Sequence, residues 1–174
     1  MAGHNKWSKI KRQKEKTDAQ KSKIFGKIAK AIATAAKEAR GDKNSPVLRA
    51  AIDKAREYNM PIENIERAIK KSSEAGEMEA ITYESYGPGG CALIIEALTS
   101  NRNKAAQEVK HILSEFGLTL AAQGSASWAF TREGQEWKPT MAVQVSEEDG
   151  SILENLIEKL EENDEVQDVY TNAE

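Results

Sequence analysis

The sequence predicts an α+β protein of two bodies, a three-helix bundle followed by an α/β sandwich on an antiparallel sheet. Three observations carry that reading. Residues 1–71 hold 19 Lys+Arg against 8 Asp+Glu and residues 72–174 hold 6 against 20, so a formal net charge of −3 conceals a sharp reversal. Apolar spacing changes at the same place, from three stripes of helical period to alternating segments bounded by glycine turns. Finally, 174 residues of which 39% are hydrophobic and 30% charged suit one ordinary globular domain or two small ones.

Residues 1–17 form a basic arm. Lys6, Lys9, Lys11, Arg12, Lys14 and Lys16 face only Glu15, and Trp7 and Ile10 are nearly its whole apolar content. Such a stretch cannot bury enough surface to offset the entropy of ordering it. Residues 18–75 are expected to form the bundle. Ile24, Ile28 and Ile32, with Ala31, Ala35 and Ala39, make the first stripe, and Gly41 is placed to stop the helix. Lys23, Lys27, Lys30 and Lys37 gather on the opposite side. Ser45-Pro46 reads as an N-cap followed by proline at the first helical position. That second helix runs to about Tyr58 with Leu48, Ile52 and Ala55 inward. Pro61 opens the third, striped by Ile62, Ile65 and Ile69. A core of mostly alanine and isoleucine is small, so the bundle should open early.

Residues 80–174 should form the second body. Ile81–Tyr86 alternates, Gly87-Pro88-Gly89-Gly90 reads as a hairpin turn, and Cys91–Leu98 is a nearly continuous apolar strand. A glycine-rich loop can cradle phosphate only when a helix follows it; here a strand follows, and no nucleotide site is inferred. Residues 102–116 read as a helix facing inward through Ala105, Val109, Ile112, Leu113 and Phe116, ended by Gly117. Ser125–Thr131 and Thr140–Val145 read as strands around a turn at Arg132–Lys138. Residues 147–162 form a helix on Ile152, Leu156, Ile157 and Leu160, and Val166–Tyr170 closes the sheet. After the first strand the order is β-α-β-β-α-β, a ferredoxin-like arrangement that hosts many functions and licenses no mechanism by itself.

Several function classes fall away. No apolar run approaches the roughly 20 residues of a membrane span, and the N-terminus lacks the apolar core of a secretory signal. The single cysteine, Cys91, precludes an internal disulfide and a cysteine-based zinc site, and a reducing cytoplasm is the expected location. His111 stands without ligands at metal-binding spacing, and the acids of the last helix and terminus occupy exposed positions. No nucleophile–base–orienter set is present. The expectation is a non-enzyme without cofactor or metal.

The lysines of the first body point instead to a polyanion. Residues 1–30 contain ten Lys+Arg and two acids, whereas solubility alone is served by mixed signs. Like charges at that density repel unless something neutralises them. The nucleic-acid-binding candidates are Lys6, Lys9, Lys11, Arg12, Lys14, Lys16, Lys21, Lys23, Lys27 and Lys30, with His4 and Trp7 offering stacking surfaces for unpaired bases. Trp7 could equally anchor the arm to the bundle. Arg102 and Lys104 form a secondary candidate, cations surviving at a helix start in an acidic body, where capping and loop solvation are the competing reading.

Six segments resemble the YebC family: Met1-Ala2-Gly3-His4-Asn5-Lys6-Trp7, the lysine-rich run into Lys23-Ile24-Phe25, Asn59-Met60-Pro61, Tyr83-Glu84-Ser85-Tyr86-Gly87-Pro88-Gly89-Gly90, Glu96-Ala97-Leu98-Thr99-Ser100-Asn101-Arg102-Asn103, and Gly124-Ser125-Ala126-Ser127-Trp128-Ala129-Phe130. The family includes the mitochondrial translational activator of cytochrome c oxidase. The resemblance implies an N-terminal helical domain and two α/β domains, the third inserted within the second. It also implies a role as a DNA-binding transcriptional regulator or a ribosome-associated translation factor. This sequence has only Thr131–Lys138 where that insertion is expected, between about 131 and 139, so the third domain is expected to be missing. The combined reading is a cytoplasmic regulator of gene expression that engages RNA on the ribosome through its basic N-terminal domain. Double-stranded DNA binding and an adaptor whose acidic body binds a basic protein are the alternatives.

Overall fold

Thr17 and Gln20 start the first helix by a reciprocal exchange. Gln20 donates its backbone N–H to the Thr17 hydroxyl (3.3 Å) and Thr17 donates its own to the Gln20 side-chain oxygen (2.9 Å). This capping box satisfies two donors the helix would otherwise leave bare. The computed structural model describes residues 17–174, and among these the chain divides into two compact units, residues 17–78 and Glu79–Glu174.

In the first unit, α1 (Asp18–Glu38), α2 (Pro46–Glu57) and α3 (Ile62–Lys70) form the expected three-helix arrangement. The left-handed residue that follows the C-cap Ala39 is Arg40, at φ 49°, and Gly41 comes after it at φ 86°, so the turn that stops α1 begins one residue before the expected glycine. Ile28, Ile32, Leu48, Met60 and Ile65 are buried together with Ala35, Ala36, Ala51, Ala55 and Ala68. Half of that core is alanine, because the helices meet through short side chains. Ile62 departs from the expected stripe: it is 69% exposed. It is the first residue of α3, one turn before Ile65, and the buried face begins only there.

The second unit is built on a four-stranded antiparallel sheet, in spatial order β3-β1-β2-β6. β1 (Glu79–Tyr86) and β2 (Ala92–Thr99) make the anticipated hairpin in continuous register from Glu79 opposite Thr99 to Tyr86 opposite Ala92. Every residue of β2 except Glu96 is buried, since both faces of this central strand are covered. Cys91, Leu93 and Ile95 pack against α4 (Arg102–Glu115) and α5 (Glu147–Glu162) through Val109, Leu113, Leu153, Leu156 and Leu160. Ala92 and Ile94 point the other way, onto Ala126, Ala129, Phe130 and Trp137. On α5 it is Leu153 that is fully buried in the core, whereas Ile152, expected inside, is 38% exposed.

Three strand assignments differ in detail from those expected. Ser125–Thr131 is not one strand: Ser127–Ala129 winds into a single 3-10 turn, and β4 (Phe130–Glu133) begins after it. β4 pairs with β5 (Glu136–Pro139) as a separate two-stranded hairpin lying on the second face of the sheet. Thr140–Val145 contributes an isolated parallel bridge, Val143 opposite Ala173, rather than a strand. The edge place is taken by β3 (Leu120–Ala121), too short to show a period, which pairs with Glu84 and Ser85. β6 (Val166–Thr171) closes the sheet beside β2.

Candidate nucleic-acid interface

One apolar requirement decides where the cations of α1 go. The stripe from Ile28 to Ala36 faces α2 and α3, so positions half a turn away must face outward. Lys23, Lys27, Lys30 and Lys37 fall there, Lys23 and Lys37 exposed and Lys27 and Lys30 half-buried. From Lys23 to Lys30 the row spans about 10 Å of helix, against about 3.4 Å of axis per phosphate on one nucleic-acid strand. A row of this length matches a few consecutive phosphates. Lys37 is held at the far end, donating from Nζ to the Ala75 carbonyl at 2.8 Å. Lys21 is different: it stands two turns before Ile28 and so on the core side of the helix, yet is exposed because it precedes the packed part. His4, Lys6, Trp7, Lys9, Lys11, Arg12, Lys14 and Lys16 lie outside the described residues.

The secondary candidates form ion pairs within the second unit. Arg102 pairs with Glu79 at 2.9 Å. Lys104 pairs with Glu165 at 3.3 Å and lies 4.0 Å from Glu108. Its ammonium is held above the usual lysine range by the hydrogen bond and charge of Glu165 and then by Glu108. The backbone N–H of Lys104 donates to the Asn101 side chain, the N-cap of α4. Both cations thus serve the start of α4 and its link to neighbouring strands.

The acids of the second unit have structural uses of the same kind. Glu147, Glu148 and Asp149 fill the first turn of α5, where negative charge complements the exposed N–H groups, and the Ser146 hydroxyl caps the Asp149 N–H at 3.0 Å. His111 is exposed and rests 3.2 Å from Glu115. Among the described residues no group of three His, Cys, Asp or Glu side chains could hold a metal. No helix of the described residues is long and apolar enough to cross a membrane.

The sheet face under the β4–β5 hairpin carries an arrangement that spacing did not reveal. Glu84 is buried on β1, and its carboxylate accepts three backbone N–H groups, from Gly124 (2.6 Å), Ala126 (3.0 Å) and Ser127 (2.6 Å). Burial raises its pKa, but the N–H groups of Gly124, Ser127 and Ala126, with the Ser127 hydroxyl, outweigh burial and hold it below the usual carboxylate range. The loop so fixed presents Trp128. Its indole N–H reaches the Ser125 carbonyl at 2.8 Å and the Tyr86 hydroxyl at 3.2 Å, while Tyr86 donates to the same carbonyl. Further along, Glu96 accepts from Thr82 (3.2 Å), Arg132 (2.9 Å) and Trp137 (2.6 Å). The only sequence signal for these contacts was that the segments around Glu84 and Trp128 both belonged to the motifs quoted for the resemblance.

Comparison with known proteins covers nearly the whole chain. A family model described as the TACO1/YebC protein N-terminal domain matches residues 5–75. A second, described as the TACO1/YebC second and third domain, matches in two pieces, residues 78–136 and 135–173. A probable transcriptional regulatory protein of Thermoanaerobacter pseudethanolicus is 39% identical over 239 aligned positions, spanning 100% of this chain and 97% of that protein. One from Chlorobaculum parvum is 44% identical over 95% of this chain and 67% of its own length. The crystal structure of a conserved hypothetical protein from Aquifex aeolicus superposes with a TM-score of 0.80 at 31% identity, covering 97% of this chain and 96% of that one.

Proposed function

This chain belongs to the TACO1/YebC family, and we propose that it is a non-enzymatic regulator of gene expression that binds nucleic acid through its basic N-terminal region. The observation carrying this reading is the concentration of charge: 19 cations against 8 acids in residues 1–71, with a lysine row on the outer side of α1. The names of the relatives, probable transcriptional regulatory proteins, support a regulatory role. Lysines position a phosphate chain better than they read base edges. That favours RNA on the ribosome as the target, in the cytoplasm, with sequence-specific duplex DNA as the second reading on the strength of those names.

We also propose that the family's third domain is absent here. The alignment to the Thermoanaerobacter protein has 239 positions for 174 residues. At least 65 of them (239 less 174) therefore have no counterpart in this chain. The two pieces of the second family match meet at residues 135 and 136, in the turn of the β4–β5 hairpin.

Neutralising about six phosphates should cost roughly a thousandfold in affinity between 50 and 200 mM salt. Replacing Lys9, Lys11, Arg12 and Lys14 together with Gln should weaken polyanion binding and flatten that dependence, with the unfolding transition unchanged. Fluorescence anisotropy on labelled RNA and DNA measures both, and affinity indifferent to salt would end the electrostatic account. Co-sedimentation with ribosomes, alongside sequencing of crosslinked RNA and DNA, separates the two targets. Enrichment on promoter DNA with none on ribosomes would select the DNA reading.

A further inference from the structure

Tyr86 and Trp128 are 40% and 60% exposed, an unusual fate for large aromatic side chains unless something covers them. Neither ring is loose. The Tyr86 hydroxyl and the Trp128 indole N–H both end on the Ser125 carbonyl, and the indole also reaches the hydroxyl. The loop beneath is clamped by three N–H bonds to Glu84. Exposed Met141 follows Thr140, whose N–H bonds the Ala129 carbonyl at 2.9 Å, so it sits at the same end of the hairpin. The rings are preorganised, so a partner loses little to ordering them. With their polar atoms already engaged, what they offer is flat aromatic area.

A flat aromatic surface accepts a nucleobase or a cation, and charge decides between them. Residues 79–174 contain 18 acids and six cations. Five of those cations already pair with carboxylates of the same unit: Arg102 with Glu79, Lys104 with Glu165, Arg132 with Glu96, Lys138 with Glu133 and Lys159 with Glu115. Such a surface repels a phosphate chain and attracts a positive one. The ionised carboxylate of Glu84, bonded to the N–H next to Trp128, adds to that field. The same sheet face already holds an arginine on a tryptophan: the Arg132 guanidinium lies 4.9 Å from the Trp137 ring centre.

We propose that Tyr86 and Trp128 form a docking platform for a basic polypeptide segment, with an arginine side chain of the partner stacked on the Trp128 ring by cation–π attraction. The protein would then hold nucleic acid through its first unit and a basic protein through its second.

The test uses the full chain and a short fluorescein-labelled peptide alternating Arg and Gly, with a citrulline version that keeps the shape and removes the charge. Short oligouridylate is the nucleic-acid probe. The arginine peptide should bind, the citrulline peptide should bind at least about tenfold more weakly, and Trp128→Ala should lose about three- to tenfold in arginine-peptide affinity. Trp128→Phe, which keeps a ring, should fall between, and thermal unfolding of each variant guards against loss of fold. Gln at Lys9, Lys11, Arg12 and Lys14 should leave peptide binding intact, which separates this proposal from the nucleic-acid one. Equal affinity of wild type and Trp128→Ala, or of arginine and citrulline peptides, overturns the assignment. So does loss of oligouridylate binding alone in Trp128→Ala, which would make the platform a base-stacking surface.

Discussion

Glu84 is the residue on which the most geometry depends. Its carboxylate replaces water for three N–H groups of the loop leading to Trp128, and charged hydrogen bonds of this kind exceed neutral ones in strength. A carboxyl whose folded pKa is depressed contributes stability above its unfolded pKa, and that contribution disappears as pH falls through the folded value. Stability should therefore decline as pH falls through the usual carboxylate range, where the unfolded carboxyl takes up a proton before the folded one does, until Glu84 is itself protonated. Glu84→Gln should cost about 1–3 kcal/mol at neutral pH and should flatten the acid limb of the stability profile. Urea unfolding of both proteins between pH 3 and about pH 7 measures the difference; parallel profiles would show that Glu84 is not the titrating group. Nothing in the spacing around Glu84 distinguishes it from a solvent-facing strand acid, since its partners lie about forty residues later and are backbone atoms. The lysine row of α1, by contrast, follows directly from the period of the isoleucines that define the opposite face.

At the scale of elements, the Gly87–Gly90 connection shows what local reading can and cannot supply. A turn between two strands was legible, because glycine clusters between apolar segments have little else to do. The demand on each glycine is tertiary. Gly89 has φ +71°, and a Cβ there would meet Val145 Cγ1 at 2.9 Å and Asp149 Oδ2 at 3.3 Å, whereas Gly90, at φ +79°, faces open space. Gly89→Ala should destabilise by about 2–4 kcal/mol and Gly90→Ala by about 1 kcal/mol, the excess being the cost of displacing the residues before and within α5. Paired thermal and urea unfolding checks the ranking, and equal costs would refute the steric part. The strand expected at Thr140–Val145 failed for a related reason. Its alternation is real, with Val143 and Val145 packed against the core, and backbone hydrogen bonds tie Val143 to Asn172 and Glu174 and Val145 to Glu174, but the pairing is a single parallel bridge opposite Ala173. Side-chain period reports which face is buried and is silent about how far a backbone neighbour runs alongside.

For the whole molecule, charge and core strength divide along the same line. The alanine-rich core of the first unit removes little apolar area per residue, while the second buries Leu93, Ile95, Leu113, Leu153, Leu156 and Leu160 between sheet and helices. Local opening should begin in the helices. Hydrogen exchange should show amides of α1, α2 and α3 protected at least about tenfold less than those of β2, and the reverse order would contradict this account. Ligand binding should narrow the gap, because a partner of the folded first unit stabilises it by mass action.

The β4–β5 hairpin has a practical consequence. Glu133 and Glu136 stand opposite each other in the ladder with Gly134 at φ 62° in the turn between them. A chain spliced in there leaves and returns through one narrow doorway, so the closure cost falls on the guest and the host core is untouched. The tip of this hairpin should accordingly accept a fluorescent reporter or an affinity handle, with the thermal unfolding of the host unchanged by the graft.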